Sequence, residues 1–516
     1  MIVRTRNMFL LLSAFILLLT TPARADEGLM LNVDCTTFFQ THHIPDGKAG
    51  ETIDRYVDVY ASAGVKTLLC NTNARRTNYR SRVWDAWWDG YDPAGPDDQP
   101  FFAAIRPEQA NRHRKTIDSM LAFDRQDIDY PARFIARCRH NGVSPWITLR
   151  MNDCHYADNP AHPFHGDFWK KHPQYCINPK GGYFGQCLDY AHPEVRDYYR
   201  ALIVETLERY DIDGLELDFM REPFLFSDGK QAEGGAILTG WLGEIRKLVD
   251  AAAARRGHPM RLGVRVPSRP ETAKAMGLDA VAWAKAGLVD LIVPTPRWAT
   301  IEFDMPMERW RELLGESEAT LAGGLEVLYR PYHAVTPRQV TLKQAAGAAA
   351  AVLARGADCV YLFNYFQDGH PDWLRADYLK TLNAMNSLDA LRKMPRCVGV
   401  TYRDIRAAAE KYRPPLPASG KEIVLSLNPG PLPEENWDCL LSIAVEVPKA
   451  EQASPPQVSV GGKPCRLTSE KKEEKYSVFS YLVPRKALAE NKAHEIKIDG
   501  AGRPLTVHRL ELSFEK

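Results

Sequence analysis

The sequence lacks a strong charge of either sign. Its 516 residues carry 66 Lys and Arg against 65 Asp and Glu, a formal net charge of +1, and the two signs are mixed along the chain. Proteins that bind nucleic acid or an anionic membrane surface usually concentrate positive charge on one face. The composition therefore gives no reason to expect a nucleic-acid partner.

Long hydrophobic runs are also scarce. One run, Met8 to Leu19, follows Arg4 and Arg6 and is too short to span a bilayer. A basic start, a short apolar block and the small residues around Arg24 are typical of a signal peptide, residues 1–25, cleaved after Ala25. We therefore expect a secreted or periplasmic protein. No second long apolar run follows, so we expect no membrane span.

Several chemical signatures are missing or weak. The first strand-like run ends in Asp34-Cys35-Thr36, where a dinucleotide-binding sheet would have a glycine-rich turn. No Gly-x-Ser-x-Gly motif suggests a serine nucleophile. One loop contains four residues of metal-binding type: Cys154, His155, His162 and His165. Their spacing fits no zinc pattern well, so we expect neither a metal nor a cofactor, with a metal site in this loop as the alternative.

Cysteine is not scarce, and an exported chain with ten cysteines can form disulfides. The cysteines fall into groups: Cys154, Cys176 and Cys187 share one long loop, Cys439 and Cys465 share the C-terminal region, and Cys35, Cys70 and Cys359 lie in apolar runs. We expect the last group to be buried free thiols. The sequence does not determine which cysteines pair.

From residue 29 to about 385, short apolar runs alternate with longer helical patterns such as Glu194–Tyr210, Gly235–Arg256 and Arg338–Arg355. This alternation is the signature of a parallel sheet built from βα units. Eight runs are present: Leu29–Thr36, Val65–Asn71, Ser144–Arg150, Gly214–Phe219, Arg261–Pro267, Val289–Pro294, Thr320–Val327 and Cys359–Tyr365. They predict an α/β fold, a (β/α)8 barrel over residues 26–390, with an open doubly wound sheet as the alternative.

After Arg396 the pattern changes to short β-rich runs between Pro, Gly and charged turns. The runs are Glu422–Leu427, Leu440–Val447, Tyr476–Val483 and Leu505–Phe514. They predict a β-sandwich over residues 397–516. We expect this domain to have a packing or spacer role, with carbohydrate binding as the alternative.

The fourth run carries two acidic residues where a barrel is usually apolar. Alternate residues of a strand share a face, so Leu215, Leu217 and Phe219 face the helices while Glu216 and Asp218 point into the barrel. Inward carboxylates are costly to bury unless they are paired, hydrogen-bonded or protonated. Packing gives no reason to keep them there, so we expect a functional one.

The same alternation places polar residues at the inner ends of most other strands. The inward residues are Asn32 and Asp34 on the first run, Thr148, Arg150 and Asn152 on the third, Arg265 on the fifth, Glu326 on the seventh and Asn364 on the eighth. The second and sixth runs are less clear, with Asn71, Asn73 and Thr295 as candidates. Acidic residues therefore meet at the barrel mouth from the first, fourth and seventh strands.

Two connections are too long to be plain linkers. The first, residues 73–111, carries Trp84, Trp87, Trp88 and Tyr91. The second, residues 152–192, carries His155, His162, His165, Trp169, Tyr175 and Tyr183. Both follow the carboxyl ends of strands, where barrel enzymes keep their sites. We expect exposed aromatic residues of these loops to stack on sugar rings, with packing inside the loops as the alternative.

Paired carboxylates with basic neighbours are the equipment of glycoside hydrolysis. One carboxylic acid protonates the leaving oxygen, and a carboxylate attacks the anomeric carbon or activates water. The candidate catalytic residues are Asp218, Glu326 and Glu216. The candidates for binding a carbohydrate substrate are Asp34, Asn71, Asn73, Arg150, Asn152, Arg221, Arg265, Asn364, Trp87, Trp88 and His155. Among these, the three arginines would separate the pKa values of the acid and the base.

The segment leading into the fourth strand resembles that of bacterial family-10-like glycosyl hydrolases. The residues His192 to Arg196, then a helix, then Tyr210 to Phe219 carry the resemblance, and Gly263–Pro267 and Gly287–Pro294 are similar to the family's fifth and sixth strands. The similarity covers about residues 29–385. It implies a TIM-barrel glycosidase and leaves the substrate open.

The resemblance also bears on the catalytic roles. Retaining glycosidase barrels of a large clan have their acid/base after strand four and their nucleophile on strand seven, and Glu326 matches the second position. The usual Asn-Glu ending of strand four is absent, so we expect Asp218 as proton donor, with Glu216 one layer deeper. If Asp218 is instead the nucleophile, as in several α-glycosidase barrels, Glu326 is the donor. A sugar-binding barrel without catalysis and a barrel lyase or deacetylase are the alternative functions.

Overall fold

The computed structural model describes residues 28–297, 300–332, 336–366, 375–401, 411–434, 436–446, 454–473 and 475–516. The predicted signal peptide, residues 1–25, lies outside these ranges. Within them, no helix has the length and apolar content needed to cross a membrane.

The described residues form a closed parallel barrel of eight strands, each paired with its neighbours in the chain, with the eighth strand pairing with the first. The strands are β1 (Leu29–Val33), β2 (Val65–Asn71), β3 (Ser144–Arg150), β4 (Gly214–Asp218), β5 (Arg261–Pro267), β6 (Leu291–Thr295), β7 (Thr320–Glu326) and β8 (Cys359–Phe363). The predicted α/β barrel is confirmed, and the open sheet is wrong. Because β1 and β8 end before their predicted runs do, Asp34 and Asn364 lie on loops just beyond them.

Helices connect the strands and surround the barrel. Their bounds are α1 (Thr37–Thr41), α2 (Ala49–Ser62), α3 (Pro107–Arg125), α4 (Tyr130–His140), α5 (Asp167–Lys171), α6 (Pro193–Arg209), α7 (Gln231–Arg256), α8 (Pro270–Ala275), α9 (Ala280–Lys285), α10 (Met307–Leu314), α11 (Leu342–Ala354), α12 (Arg375–Ala384) and α13 (Leu388–Arg392). Short 3-10 helices lie at Pro100–Phe102, Pro173–Tyr175, Tyr183–Gln186 and Arg485–Ala487. Local signals set several ends: Pro193 begins α6, Thr341 forms a capping box with Gln344 before α11, and Gly257 ends α7 with a φ of 77°.

The lower part of the barrel interior is filled by Trp146 of β3, which is completely buried. Two glycines on the next strands leave room for its ring. A Cβ atom on Gly214 would lie 2.3 Å from the indole, and one on Gly263 would lie 3.1 Å from it. The apolar interior cluster around Trp146 includes Met30 and Ala322. The inward acids Glu216 and Asp218 lie in the layers above Trp146, toward the carboxyl ends of the strands.

The chain after the barrel forms two antiparallel sheets in its described parts, in agreement with the predicted β-sandwich fold. Their strands are β9 (Arg396–Gly399), β10 (Ala418–Gly420), β11 (Glu422–Leu427), β12 (Asp438–Glu446), β13 (Gln457–Val460), β14 (Lys463–Pro464), β15 (Arg466–Glu473), β16 (Tyr476–Leu482), β17 (His494–Asp499) and β18 (Leu505–Glu515). One sheet has the order β9-β18-β12-β16-β15 with β10 also paired to β18, and the other has the order β11-β17-β13-β14. The domain boundaries at 390 and 397 stay predictions.

The larger C-terminal sheet packs against helix α11 of the barrel. A Cβ atom on Gly347 would lie 1.9 Å from the carbonyl oxygen of Cys397, so only glycine permits this approach. The Gln344 side chain donates to Glu511 at 2.8 Å. A short hairpin after β7, Leu328–Tyr329 paired with Arg338–Gln339, also contacts this sheet, because Tyr329 donates its hydroxyl to Glu511 at 2.7 Å. The barrel and the C-terminal sheets thus share one packed core.

Candidate active site

A buried ion pair joins strands β4 and β5 at the barrel mouth. Asp218 is the register partner of Arg265, whose Nη1 donates to both carboxylate oxygens at 3.0 and 2.9 Å. The backbone N–H of Met220 also donates to Asp218 Oδ1 at 2.8 Å. Both charged side chains are only 1% exposed. Asp218 is thus buried together with an oppositely charged partner and a backbone hydrogen-bond donor.

Glu326 is the last residue of β7 and has the inward parity of Ala322, which belongs to the interior cluster. One carboxyl oxygen accepts from the backbone N–H of Val327 at 3.0 Å. The other has no hydrogen-bond partner among the described residues. Burial raises the pKa of Glu326 to about 7, although the charges of Arg265 and Arg221 oppose the rise. This carboxyl group can therefore hold a proton near neutral pH.

Glu216 lies one layer deeper than Asp218 on the same strand. Its Oε1 accepts hydrogen bonds from the hydroxyls of Thr148 at 2.6 Å and Tyr361 at 2.8 Å. Asn32 in turn donates to the hydroxyl of Tyr361 at 2.9 Å. Burial, and then the negative charge of Asp218, raise the pKa of Glu216 to about 7. Glu216 is thus part of a buried polar network beneath the Asp218 layer.

One guanidinium influences both upper carboxyl groups. Arg265 is paired with Asp218 and lowers the pKa of Glu326 through its charge. Its guanidinium carbon lies 3.8 Å from the ring centroid of Phe363, the residue of β8 that is in register with Glu326. The aromatic ring and the Asp218 carboxylate therefore hold Arg265 in place. The result is one carboxyl group in an ion pair and one whose pKa is raised by burial, on strands separated by β5 and β6.

A polar cavity of about 340 Å³ opens at the carboxyl ends of the strands. Its walls include six of the predicted binding residues: Asp34, Trp87, Arg150, His155, Arg221 and Asn364. Asp218, Glu216 and Glu326 are not among the wall residues, and each is at most 1% exposed. Their connection to the cavity is electrostatic, since Arg150 interacts with Asp218 and Arg221 interacts with Glu326.

Helix α3 forms one wall of the cavity, which the sequence pattern does not predict. It contributes Gln109, Arg112, His113, Thr116 and Ile117. These positions follow helical spacing and share one face. The helical spacing of these residues can be read from the sequence. Their place beside the barrel mouth cannot, because it depends on how the helix packs in the fold.

Asp153 is the central anchor of the cavity wall and was also missed. Its carboxylate accepts from His155 Nδ1 at 2.8 Å and from Arg150 Nη1 at 3.2 Å, and it lies 3.8 Å from Arg221 Nε. Burial alone would raise the pKa of Asp153, but His155, Arg150 and Arg221 lower it well below the usual range. Strand β3 ends at Arg150, so strand alternation gives no information at Asp153. The sequence signal for a role of Asp153 is its position between Asn152 and His155, two predicted binding residues.

Asp34 is held in a similar way on the opposite side of Arg150. It forms an ion pair with Arg150, and its Oδ1 accepts from the backbone N–H and the hydroxyl of Thr36, both at 2.8 Å. Burial alone would raise the pKa of Asp34, but Arg150 and the Thr36 hydrogen bonds lower it below its usual range. Asp34 is therefore an ionised anchor for Arg150.

Three predicted binding residues connect backbone segments and do not line the cavity in the described structure. Asn71 donates to the carbonyl of Thr148 at 3.0 Å. Asn73 donates to the carbonyl of Arg150 at 3.1 Å and accepts from its N–H at 3.0 Å. Asn152 makes the same pair of contacts with Leu188. Their amide groups satisfy backbone groups between neighbouring loops, which is why asparagine recurs at these positions.

The expectation of exposed aromatic residues is wrong for the tryptophans. Trp84, Trp87, Trp88 and Trp169 are all less than 9% exposed. Trp84 stacks on Tyr198 with ring centroids 4.1 Å apart. Trp88 lies beneath Arg80 beside a separate cavity. The long loops fold onto their own aromatic residues because large apolar side chains gain most from burial. Trp87 still lines the cavity, and Tyr183 is 40% exposed.

The histidines of the second loop have partners within the protein. His165 Nδ1 lies 2.9 Å from Arg75 Nη1, and His162 stacks on Tyr156 with ring centroids 3.8 Å apart. Burial lowers the pKa of each of these histidines to about 3. In the described ranges, no group of three or more His, Cys, Asp or Glu residues is placed to hold a metal ion.

No protein-family model and no curated protein matches the chain. Among solved structures, alpha-L-fucosidase isoenzyme 2 from Paenibacillus thiaminolyticus has a TM-score of 0.42 at 14% identity, covering 70% of this chain and 49% of its own, so this chain spans about half its length. The PgaB (BpsB) glycoside hydrolase domain from Bordetella bronchiseptica has a TM-score of 0.40 at 10% identity, covering 70% of this chain and 99% of its own. A noncanonic maltogenic alpha-amylase from Thermotoga neapolitana has a TM-score of 0.39 at 11% identity, covering 96% of this chain and 100% of its own. These values assign no family, and the resemblance to family-10-like hydrolases stays a prediction.

Proposed function

We propose that the protein is a glycoside hydrolase in which Asp218 and Glu326 are the catalytic pair. The observation that carries the proposal is the difference in their surroundings. Arg265 forms a buried ion pair with Asp218, while burial raises the pKa of Glu326 to about 7. Glycoside hydrolysis needs one carboxylic acid and one carboxylate at the same site, and the carboxyl group whose pKa is raised by burial is the better candidate for the acid.

In this proposal Glu326 donates its proton to the leaving glycosidic oxygen. Asp218 attacks the anomeric carbon or takes a proton from water. The sequence allows either acid as donor, with Asp218 as the expectation. The second assignment, with Glu326 as donor, is supported by the raised pKa of Glu326, because a donor must carry the proton and Asp218 is instead paired with Arg265.

The substrate is a saccharide unit of an oligo- or polysaccharide that enters the cavity lined by Arg150 and Arg221, and cleavage requires the buried Asp218 and Glu326 to become accessible from that cavity. The cavity volume, about 340 Å³, is in the range of small-ligand sites, which is roughly 300–1,000 Å³. Asn364 Oδ1 and Trp87 Nε1 have no hydrogen-bond partner among the described residues. Both residues line the cavity, so this acceptor and this donor are candidates for hydrogen bonds to sugar hydroxyls. Asn364 also has a φ of 61°, a strained conformation that is concentrated at functional sites.

We propose a packing role for the C-terminal sheets. They contact the chain that immediately follows Glu326, because Tyr329 donates to Glu511 and Tyr332 donates to Glu473, each at 2.7 Å. The sheets therefore support the segment that positions the proposed donor. A separate carbohydrate-binding site is not needed to explain this contact.

The test uses Glu326→Gln and Asp218→Asn in the full chain. A panel of polysaccharides and aryl glycosides first identifies a cleaved substrate, with NMR of the product anomer. We expect each variant to lose on the order of a thousand-fold or more in turnover while retaining sugar binding. The control is Glu205→Gln, a buried acid on α6 that hydrogen-bonds Ser81 and Tyr79, which should leave turnover unchanged in folded protein.

Two outcomes contradict this proposal. Unchanged turnover in both Glu326→Gln and Asp218→Asn would remove the catalytic assignment. Sugar binding by the unmodified protein with no cleavage of any tested glycoside would favour the alternative, a carbohydrate-binding barrel without catalysis.

A further inference from the structure

Two cysteine sulfur atoms are in contact in the loop that follows β3. Sγ of Cys154 lies 3.0 Å from Sγ of Cys187, and the two residues are 33 positions apart in the sequence. Both residues are completely buried. A contact between two sulfur atoms so distant in sequence depends on how the loop folds back on itself.

The main chain on either side of the two cysteines is held together independently of the sulfur atoms. Asn152 donates to the carbonyl of Leu188 and accepts from its N–H, both at 3.0 Å. The N–H of Ile177 donates to the carbonyl of Cys187 at 2.8 Å. The Asn152–Leu188 pair therefore holds the two cysteine-bearing segments next to each other, which brings the cysteines within the reach of a disulfide.

The surroundings of the pair are apolar and do not suit a metal or a reactive thiolate. The two cysteines pack with Ala157, Ile177 and Phe224. Burial, followed by the neighbouring Cys154, raises the pKa of the Cys187 thiol. Catalytic and redox-sensing cysteines instead have a lowered pKa and access to solvent. A structural role is the one that fits these surroundings.

We propose that Cys154 and Cys187 form a structural disulfide. Each thiol loses a proton, a bond forms between the two sulfur atoms, and two electrons pass to the oxidant. The oxidant is itself a disulfide, in a thiol–disulfide oxidoreductase or in oxidised glutathione, and it is reduced to two thiols. An oxidising compartment, as the predicted signal peptide implies, favours this reaction. The proposal is independent of the proposed hydrolase activity.

The crosslink has a consequence for the cavity because Cys154 directly follows Asp153. The Asp153 carboxylate contacts Arg150, His155 and Arg221, which all line the cavity. A bond from Cys154 to the segment before α6 fixes the backbone that carries this anchor. Loss of the bond should loosen the cavity wall and lower the melting temperature, because a 33-residue separation gives the unfolded chain much freedom to lose on closure.

The test is a mass-spectrometric map of the full-length protein after export. The protein is unfolded in denaturant without reductant, and iodoacetamide alkylates the free thiols. We expect a linked peptide pair containing Cys154 and Cys187, with neither residue alkylated. The buried cysteines Cys70 and Cys138 serve as internal controls and should be alkylated. The same pattern should form when reduced protein is incubated with oxidised glutathione.

A variant carrying Cys154→Ser and Cys187→Ser extends the test to stability. It should melt several degrees below the oxidised protein and no longer respond to dithiothreitol, whereas the variant Cys70→Ser should keep the response. Alkylation of both Cys154 and Cys187 after glutathione treatment would overturn the proposal. A bond from either residue to Cys176 would overturn it as well.

Discussion

Removing the Arg265 side chain should expose how strongly the barrel depends on the Asp218 ion pair. In Arg265→Met, Asp218 stays buried at 1% exposure without its cationic partner and loses hydrogen bonds of 3.0 and 2.9 Å. Breaking a buried ion pair by removing one partner costs about 3–5 kcal/mol. We expect a loss of free energy of unfolding in this range. The double variant Asp218→Asn/Arg265→Met should lose less than the sum of the single variants, because it leaves no buried charge unpaired.

The assay is urea unfolding followed by tryptophan fluorescence, with the free energies extrapolated to water. The matched control is Arg137→Met. Arg137 also contacts both oxygens of an aspartate, Asp58, at 2.6 Å each, but the two side chains are 27% and 38% exposed. Solvent screening should limit the cost of this control to about 1 kcal/mol or less. Two results would contradict this prediction. One is a loss of free energy of unfolding in Arg265→Met no larger than that in Arg137→Met, and the other is additivity of the losses caused by Asp218→Asn and Arg265→Met.

Three further predictions concern the same barrel. Glu326 has a pKa of about 7 in the folded protein against 4.5 for a free side chain. Between these pH values the folded state binds a proton that the unfolded state does not, so the melting temperature should fall as the pH rises from about 5 to 7. Glu326→Gln should reduce this fall. Gly214→Ala should cost about 1–3 kcal/mol through overpacking, because its Cβ would lie 2.3 Å from the Trp146 ring. Gly240→Ala, on α7 with no atom within 4 Å of the new Cβ, should cost nothing in the same thermal melts. Asp153→Asn should lower kcat/KM on the order of a hundred-fold through misplaced cavity residues, and unchanged kcat/KM would contradict its anchoring role.

Strand positions and inward faces could be predicted because both depend on local sequence. Apolar runs set the bounds of β2, β3 and β5, which agree with prediction to the residue. The period of two placed Glu216, Asp218, Arg265 and Glu326 inside the barrel. A closed barrel then followed from the number of alternating units, because parallel strands with helical crossovers have few ways to bury both faces of the sheet.

The environment of each side chain could not be predicted in the same way. The tryptophans of the long loops looked available for stacking, but the loops fold over them, and asparagines that looked like ligands for a sugar satisfy backbone groups instead. Asp153 was missed because it lies past the end of a strand, where alternation no longer applies. The wall from α3 depends on how a helix lies over the mouth, and helix periodicity does not encode that placement.

The sequence by itself determined that an α/β barrel would bring acids from its first, fourth and seventh strands to one end. Only the tertiary structure decided which acid is paired with an arginine and which is not. Charge state depends on burial from every direction and on the nearest opposite charge, and both come from residues distant in the chain. Arg265 pairs with Asp218, whereas burial is the largest influence on the pKa of Glu326. This difference in surroundings is the basis for proposing Asp218 as the base and Glu326 as the acid.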